Sequence, residues 1–192
     1  MERRDRSNVV TNRWKVTVST WGLVAYGLLY GSVVAGALLS SPILRKGSVV
    51  FTRAGRAHEL LSLGGLFAAA VHTLASVFPP QGVQLSQLAF LGPAGRPAVG
   101  LGVASFYATI LVTVTFYARH RVTAPLWRWA HALAYPAFAA AAWHGVAVGA
   151  NAWLPVMQAF YLFTAGSAGL LICVRLLDAA AQRPARRSRT PS

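Results

Sequence analysis

Acidic residues are nearly absent from this sequence: four Asp and Glu stand against 18 Lys and Arg, a formal net charge of +14. Charged residues of both signs make up only 11% of the chain, well under the roughly 25% of an average soluble domain. Their distribution is more telling than their number. No Asp, Glu, Lys or Arg occurs in 16–44, 60–95, 97–118 or 129–174. A bilayer core about 30 Å thick needs about 20 apolar residues in a helix. The first three gaps hold one such helix each, and the last holds two. These gaps exclude an ordinary soluble fold and predict an all-α integral membrane protein with five crossings. Cysteine is also scarce. The single Cys173 excludes an internal disulfide and reads as a packing residue. No Gly-x-Gly-x-x-Gly or Walker-type loop is present, so no nucleotide site is expected. The N-terminal ten residues are too polar for a signal peptide.

The high positive charge would suggest nucleic acid in a soluble chain. Here the basic residues cluster at the edges of apolar spans, the usual membrane pattern, so the lipid bilayer is the expected partner and nucleic acid is not. Residues 1–16 form a basic N-terminal tail and 178–192 a basic, disordered C-terminal tail; the membrane domain is 17–177. The spans are expected at about 17–39, 57–78, 98–117, 127–148 and 154–176. A basic loop with Arg45, Lys46, Arg53 and Arg56 follows the first, and a loop rich in Gly and Pro follows the second.

With five crossings, the loops after spans one and three share a side with the C-terminus. That side carries twelve of the Lys and Arg, and the opposite loops carry one, Arg96. The positive-inside rule then puts the C-terminus in the cytoplasm of a multi-pass protein of a bacterial inner or plasma membrane. The N-terminal tail objects, because Arg3, Arg4, Arg6, Arg13 and Lys15 fall outside on this topology. An inside N-terminus would need a re-entrant first span or a further crossing.

Four of the five histidines lie inside spans. His58 and His72 are 14 residues apart on the second, and His131 and His144 are 13 apart on the fourth. These separations correspond to about 21 and about 20 Å of helix rise. The two spans run parallel, so the histidines form two pairs, each at one depth. Ionisable residues within a membrane are costly and usually functional. Histidines on facing helices can fill both axial positions of a haem iron. Zinc suits them less, since two histidines leave its tetrahedral shell half empty. The expected cofactors are therefore two non-covalent b-type haems, stacked across the bundle, with no Cys-x-x-Cys-His for covalent attachment. The competing class is a haem-free structural or transport protein whose histidines pack or relay protons.

Finer features bear on this reading. Ser62, Gly65 and Ala69 project within about 40° of His58 and line the face between the two histidines of span two with small side chains. That lining would clear space for a flat macrocycle and would also let helices approach; the two readings are compatible. On span four, 13 residues leave His144 about 140° out of phase with His131, and Pro136 between them is expected to break the helix and re-aim it. Arg56, Arg128 and Arg96 are candidate partners of haem propionates. For Arg56 and Arg128 a purely topological role is the alternative. His120 lies in a basic turn and is expected to be solvated. Glu59, beside His58, is expected to mark the interface.

The ordered set Trp21-Gly22-Leu23-Val24-Ala25-Tyr26, Arg56-Ala57-His58, Trp127-Arg128-Trp129-Ala130-His131 and His144-Gly145 resembles the ferric reductase-like transmembrane domain. That family includes the membrane parts of NADPH oxidases and ferric reductases, and the haem subunit of a methionine-sulfoxide reductase system. The resemblance covers about residues 14–176. It implies that His58, His72, His131 and His144 are axial ligands of two haems b, and that the chain is the electron-transfer subunit of an oxidoreductase. It also implies electron flow from a cytoplasmic haem to an outer one, towards ferric iron, oxygen or an outer-side reductase.

Members of that family usually continue into a flavin and nicotinamide module, whereas only about 16 polar residues follow the last span here. A separate cytoplasmic flavoprotein or a quinol is therefore the expected donor. Mixed with NADH or NADPH alone, the haem-loaded protein should stay oxidised, and a flavin reductase or a quinol should reduce it. Rapid reduction by nicotinamide in a flavin-free preparation, followed by absorbance, would count against this.

Overall fold

The computed structural model describes residues 2–40, 48–78, 83–89 and 97–187, with side chains from 13 to 177 within those ranges. Every regular element among them is a helix: α1 (Glu2–Leu39), α2 (Val49–Val77), α3 (Leu85–Leu88), α4 (Pro97–Tyr117), α5 (Ala124–Ala132), α6 (Ala134–Val148) and α7 (Pro155–Arg187). Four stretches are long and apolar enough to cross a membrane: Arg13–Leu39, Val49–Val77, Pro97–Tyr117 and Pro155–Leu177. The segment expected as the fourth of five crossings is two helices, each shorter than a span.

Local chemistry explains the boundaries. The Ser48 hydroxyl accepts the Phe51 N–H at 3.2 Å and caps the start of α2. Arg53 and Arg56 therefore lie in the first turns of α2, not in the loop expected there. Pro97 and Pro155 begin α4 and α7, where a missing N–H costs nothing. At the end of α1, Arg175 of α7 donates to the Ala37 and Ser40 carbonyls at 3.2 and 3.4 Å. A cation is favourable at that end of the helix dipole. Both tails are helical where described, and the second departs from expectation. Residues 2–16 continue α1 and 178–187 continue α7 as helix, where a disordered tail was expected after 177. The Ala179-Ala180-Ala181-Gln182 run has high helix propensity.

The break between α5 and α6 falls at Leu133, three residues before Pro136. Proline has no N–H for the Ala132 carbonyl, and its ring crowds that turn. The Leu133 N–H reaches back only three residues, to Ala130 at 3.2 Å. This is the irregularity that the 13-residue histidine spacing required.

Helix α1 runs antiparallel along α2, and α4 along α6, while α7 packs on α1 and α6. The buried positions are mostly small: Ala25, Ser32, Ala37, Gly65, Ala68, Ala75, Ser105, Ala137, Ala142 and Ala168. Large apolar side chains such as Leu60, Phe67, Leu74, Val114, Leu162, Phe163 and Leu170 face outward. A soluble core has the reverse arrangement. In a bilayer, small residues let backbones approach and large ones meet lipid. Cys173 is on this outward surface and does not pack inside.

Aromatic residues fill the middle. Tyr26 stacks on Phe138 with ring centres 5.1 Å apart, and Tyr161 lies 5.0 Å from it. The Thr164 hydroxyl donates to the Phe160 carbonyl at 2.8 Å, so in the 2.6 Å contact between Tyr26 and Thr164 the tyrosine is the donor. Interhelical hydrogen bonds within membranes contribute roughly 0.6–1.7 kcal/mol. Tyr26→Phe keeps the ring and deletes this bond between α1 and α7. It should lower unfolding free energy by about 1 kcal/mol in detergent, measured by denaturant titration of helicity.

Candidate functional site

The break at Leu133 has a direct consequence for the histidines. His58 of α2 faces His131 of α5, with ring centres 6.1 Å apart and planes at 76°. One level away, His72 of α2 faces His144 of α6 at 6.1 Å and 77°. The two levels are separated by the 14-residue rise of α2, about 21 Å. The structure thus brings together all four predicted ligands in the predicted pairs.

The spacing can be compared with coordination geometry. A metal–imidazole bond is about 2.0 Å. A five-membered ring with bonds of about 1.33 Å has its centre roughly 1.1 Å behind each atom. Two imidazoles on opposite sides of one metal therefore have centres roughly 6 Å apart. No group of three or more His, Cys, Asp or Glu forms among the described residues. A closed tetrahedral site would need four protein ligands. The pairs fit a metal whose remaining positions are filled by something else, as a porphyrin fills those of haem iron.

Three of the four rings are held in the same way. The Nδ1–H of His58 donates to the Ser32 carbonyl at 2.8 Å, that of His72 to Val18 at 2.9 Å, and that of His144 to Ala98 at 2.8 Å. Because a carbonyl only accepts, these contacts place the proton on Nδ1 and leave the Nε2 lone pair free for a metal. Each imidazole also lies over a glycine four residues beyond its acceptor. A Cβ at Gly36 would come within 3.0 Å of the His58 ring, one at Gly22 within 3.0 Å of His72, and one at Gly102 within 2.6 Å of His144. A helical side chain covers the turn preceding its own Cα. Glycine at that position uncovers the carbonyl.

His58 has a further support. The Ser62 hydroxyl donates to the His58 carbonyl at 2.7 Å, so Ser32 donates to Ser62 at 2.6 Å and its oxygen also meets the His58 Nδ1–H at 3.1 Å. Ser76 repeats the first of these bonds on the His72 carbonyl. His131 differs: its Nδ1 is buried without a hydrogen-bond partner, as is Nε1 of Trp127, whose ring stacks on it at 5.5 Å.

The two levels also differ in space. A cavity of about 470 Å³ opens beside His72 and His144, walled by Tyr26, Leu29, Phe106 and Tyr161. A recess of about 40 Å³, walled by Val112 and Phe116, adjoins His58 and His131. Glu59 lies at the edge of that recess and accepts the Tyr117 hydroxyl at 2.8 Å. Gly145 lets Tyr161 close against α6 beside His144; a Cβ there would meet the Tyr161 hydroxyl at 2.6 Å.

Other expectations fare differently. Gly65 packs against Leu29 and serves the approach of α1 and α2, whereas Ser62, bonded to Ser32, also lines the recess at His58 and His131, and Ala69 lines the cavity at His72 and His144. Arg56 and Arg128 are exposed, and neither lines the recess at the first pair. Arg96 lies outside the described residues. His120 is exposed. Sequence reasoning passed over Gly22, Gly36 and Gly102. A signal was available, since Gly22 and Gly36 repeat the 14-residue interval of His58 and His72.

Among the described residues these features define an all-helical arrangement, with four helices of membrane-spanning length, that sets two histidine pairs at two depths. Comparison with protein-family models, curated proteins and solved structures returns no match for the chain.

The glycine contacts supply their own control. A Cβ at Gly100 or Gly27 would meet nothing within 4 Å. Gly100→Ala and Gly27→Ala should therefore be neutral or gain up to about 1 kcal/mol from helix propensity. Gly102→Ala should instead cost about 1–3 kcal/mol from overpacking against His144. Thermal unfolding of the three variants in one detergent makes the comparison; equal behaviour would refute the glycine–imidazole contact.

Proposed function

We propose that this chain carries electrons across a bilayer by means of two bis-histidine b-type haems. His58 and His131 would hold one, and His72 and His144 the other. The observation that carries the proposal is the repeated pair geometry: ring centres 6.1 Å apart and planes near 77°, found twice, at two depths of α2, against α5 and against α6. Packing alone gives no reason for the two pairs to share that geometry.

Bound haem would supply a one-electron iron centre at each level. The residues of the chain have three tasks. The imidazoles would hold the metal from two sides, which would leave no protein-facing position on it for a substrate. The carbonyls of Ser32, Val18 and Ala98 fix tautomer and ring direction and raise the basicity of the ligands. Side chains such as Leu29, Phe106 and Val112 give both levels largely apolar walls. With the C-terminus in the cytoplasm, the first pair lies near the cytoplasmic face and the second near the outer face. Electrons then pass from a cytoplasmic flavoprotein or quinol to an outer acceptor: ferric iron, oxygen or a partner reductase.

The purified protein should be coloured, with a reduced-minus-oxidised spectrum of low-spin b-type haem and two haems per chain. His72→Ala and His144→Ala should each remove the same one of the two, and His58→Ala and His131→Ala the other. A colourless protein expressed with ample haem, or variants that lose both haems equally, would overturn the proposal.

A further inference from the structure

The cavity beside His72 and His144 extends beyond the imidazoles, past Ser19 and Ser76, to Lys15 and Asn151. Among the described residues, Lys15 is the one Lys, Arg, Asp or Glu in its lining. Its place is set by α1. Lys15, Ser19, Gly22 and Tyr26 follow one another at helical intervals, so one face of α1 presents all four to the cavity. The turn that bears Lys15 is fastened to α2, because the Nε1–H of the neighbouring Trp14 donates to the Ala75 carbonyl at 3.1 Å. One turn further on, the Val18 carbonyl holds His72. The ammonium thus rises from the turn that precedes the ligand's own anchor.

Lys15 is exposed, so its ammonium stays solvated at the rim of the cavity, where it can meet an anionic group that enters. No Asp or Glu of the described residues lines this cavity; Glu59 is at the other pair. A charge of one sign at the rim favours an anionic group on whatever the cavity receives. The lining supplies one positive group and a few hydroxyl and amide groups, which suits a carboxylate.

We infer that Lys15 is the anchor for a carboxylate of the group held between His72 and His144. This rests on the two-haem reading, under which that carboxylate is a haem propionate. The assignment gives one basic residue of the N-terminal tail a reason to stand on the outer side, where topology alone would not put it.

The test uses the full-length, haem-loaded protein in detergent. Transfer of haem to excess apomyoglobin is followed by absorbance, and midpoint potentials by redox titration; His144→Ala identifies the outer component. Lys15→Ala should release the outer haem roughly tenfold faster, the scale of one charge-assisted hydrogen bond, and lower its midpoint potential. The inner haem should be unaffected. Lys15→Arg should stay within about twofold of the parent, and Lys15→Glu should be worse than Lys15→Ala. Unchanged release and potential in Lys15→Ala, or parallel loss of both haems, would overturn the assignment. A parent protein that binds two haems with an indifferent Lys15→Ala refutes this inference alone. A parent that binds none overturns the two-haem reading and this inference with it.

Discussion

An imidazole within a membrane must find an acceptor for its N–H, because lipid offers none and an unpaired polar group there costs several kcal/mol. In this structure the acceptors for His58, His72 and His144 are main-chain carbonyls of neighbouring helices. A helical carbonyl already receives an N–H from four residues ahead but keeps a second lone pair. That lone pair is normally shielded by the side chain above it. Glycine at positions 22, 36 and 102 removes the shield, and the ring descends until its Nδ1–H reaches the oxygen. Tautomer, ring direction and the outward aim of Nε2 all follow from this one contact.

The same contact sets the helix register. Gly22 meets His72, Gly65 meets Leu29, and Gly36 meets His58. The three contacts advance seven residues at a time along α1 and retreat seven at a time along α2. A seven-residue repeat keeps a seam between helices that wind gently around each other. Small and large residues alternate across the seam, glycine on α1 at both ends and on α2 in the middle. The 14-residue interval of the histidines is thus two repeats of the α1–α2 packing. The 13-residue interval on the opposite side has no such seam to obey. It reaches the same depths because the chain turns at Leu133, and one residue of helix amounts to only about 1.5 Å.

What could be read from the sequence follows from this physics. Membrane character and most of the helix boundaries are written in the spacing of charges. The pairing of His58 with His131 and His72 with His144 came from rise per residue, and the break before Pro136 from a missing N–H; both are properties of single segments. The acceptors were harder to see. Val18 lies 54 residues from His72, and Ala98 lies 46 from His144. Only helix packing reveals that their carbonyls are exposed. Gly65 was misleading for the same reason. Its direction relative to His58 is a local quantity, but whether that direction points to α1 or to a cavity is not.

The two levels are not equivalent, and the difference has a direction. At the second pair both imidazoles donate to carbonyls; at the first only His58 does, and the Nδ1 of His131 is buried without a partner. A ligand that donates a hydrogen bond from its far nitrogen is the more basic one. On the proposed reading, the outer iron then has two strengthened ligands and the inner iron one. Stronger donors favour the oxidised metal, so ligand chemistry alone would set the outer potential below the inner one. A cation near the outer site opposes that order, because positive charge favours the reduced form. The Nδ1 contacts and Lys15 would thus act against each other on the outer level, leaving electrons to cross between two centres with neither one a deep trap.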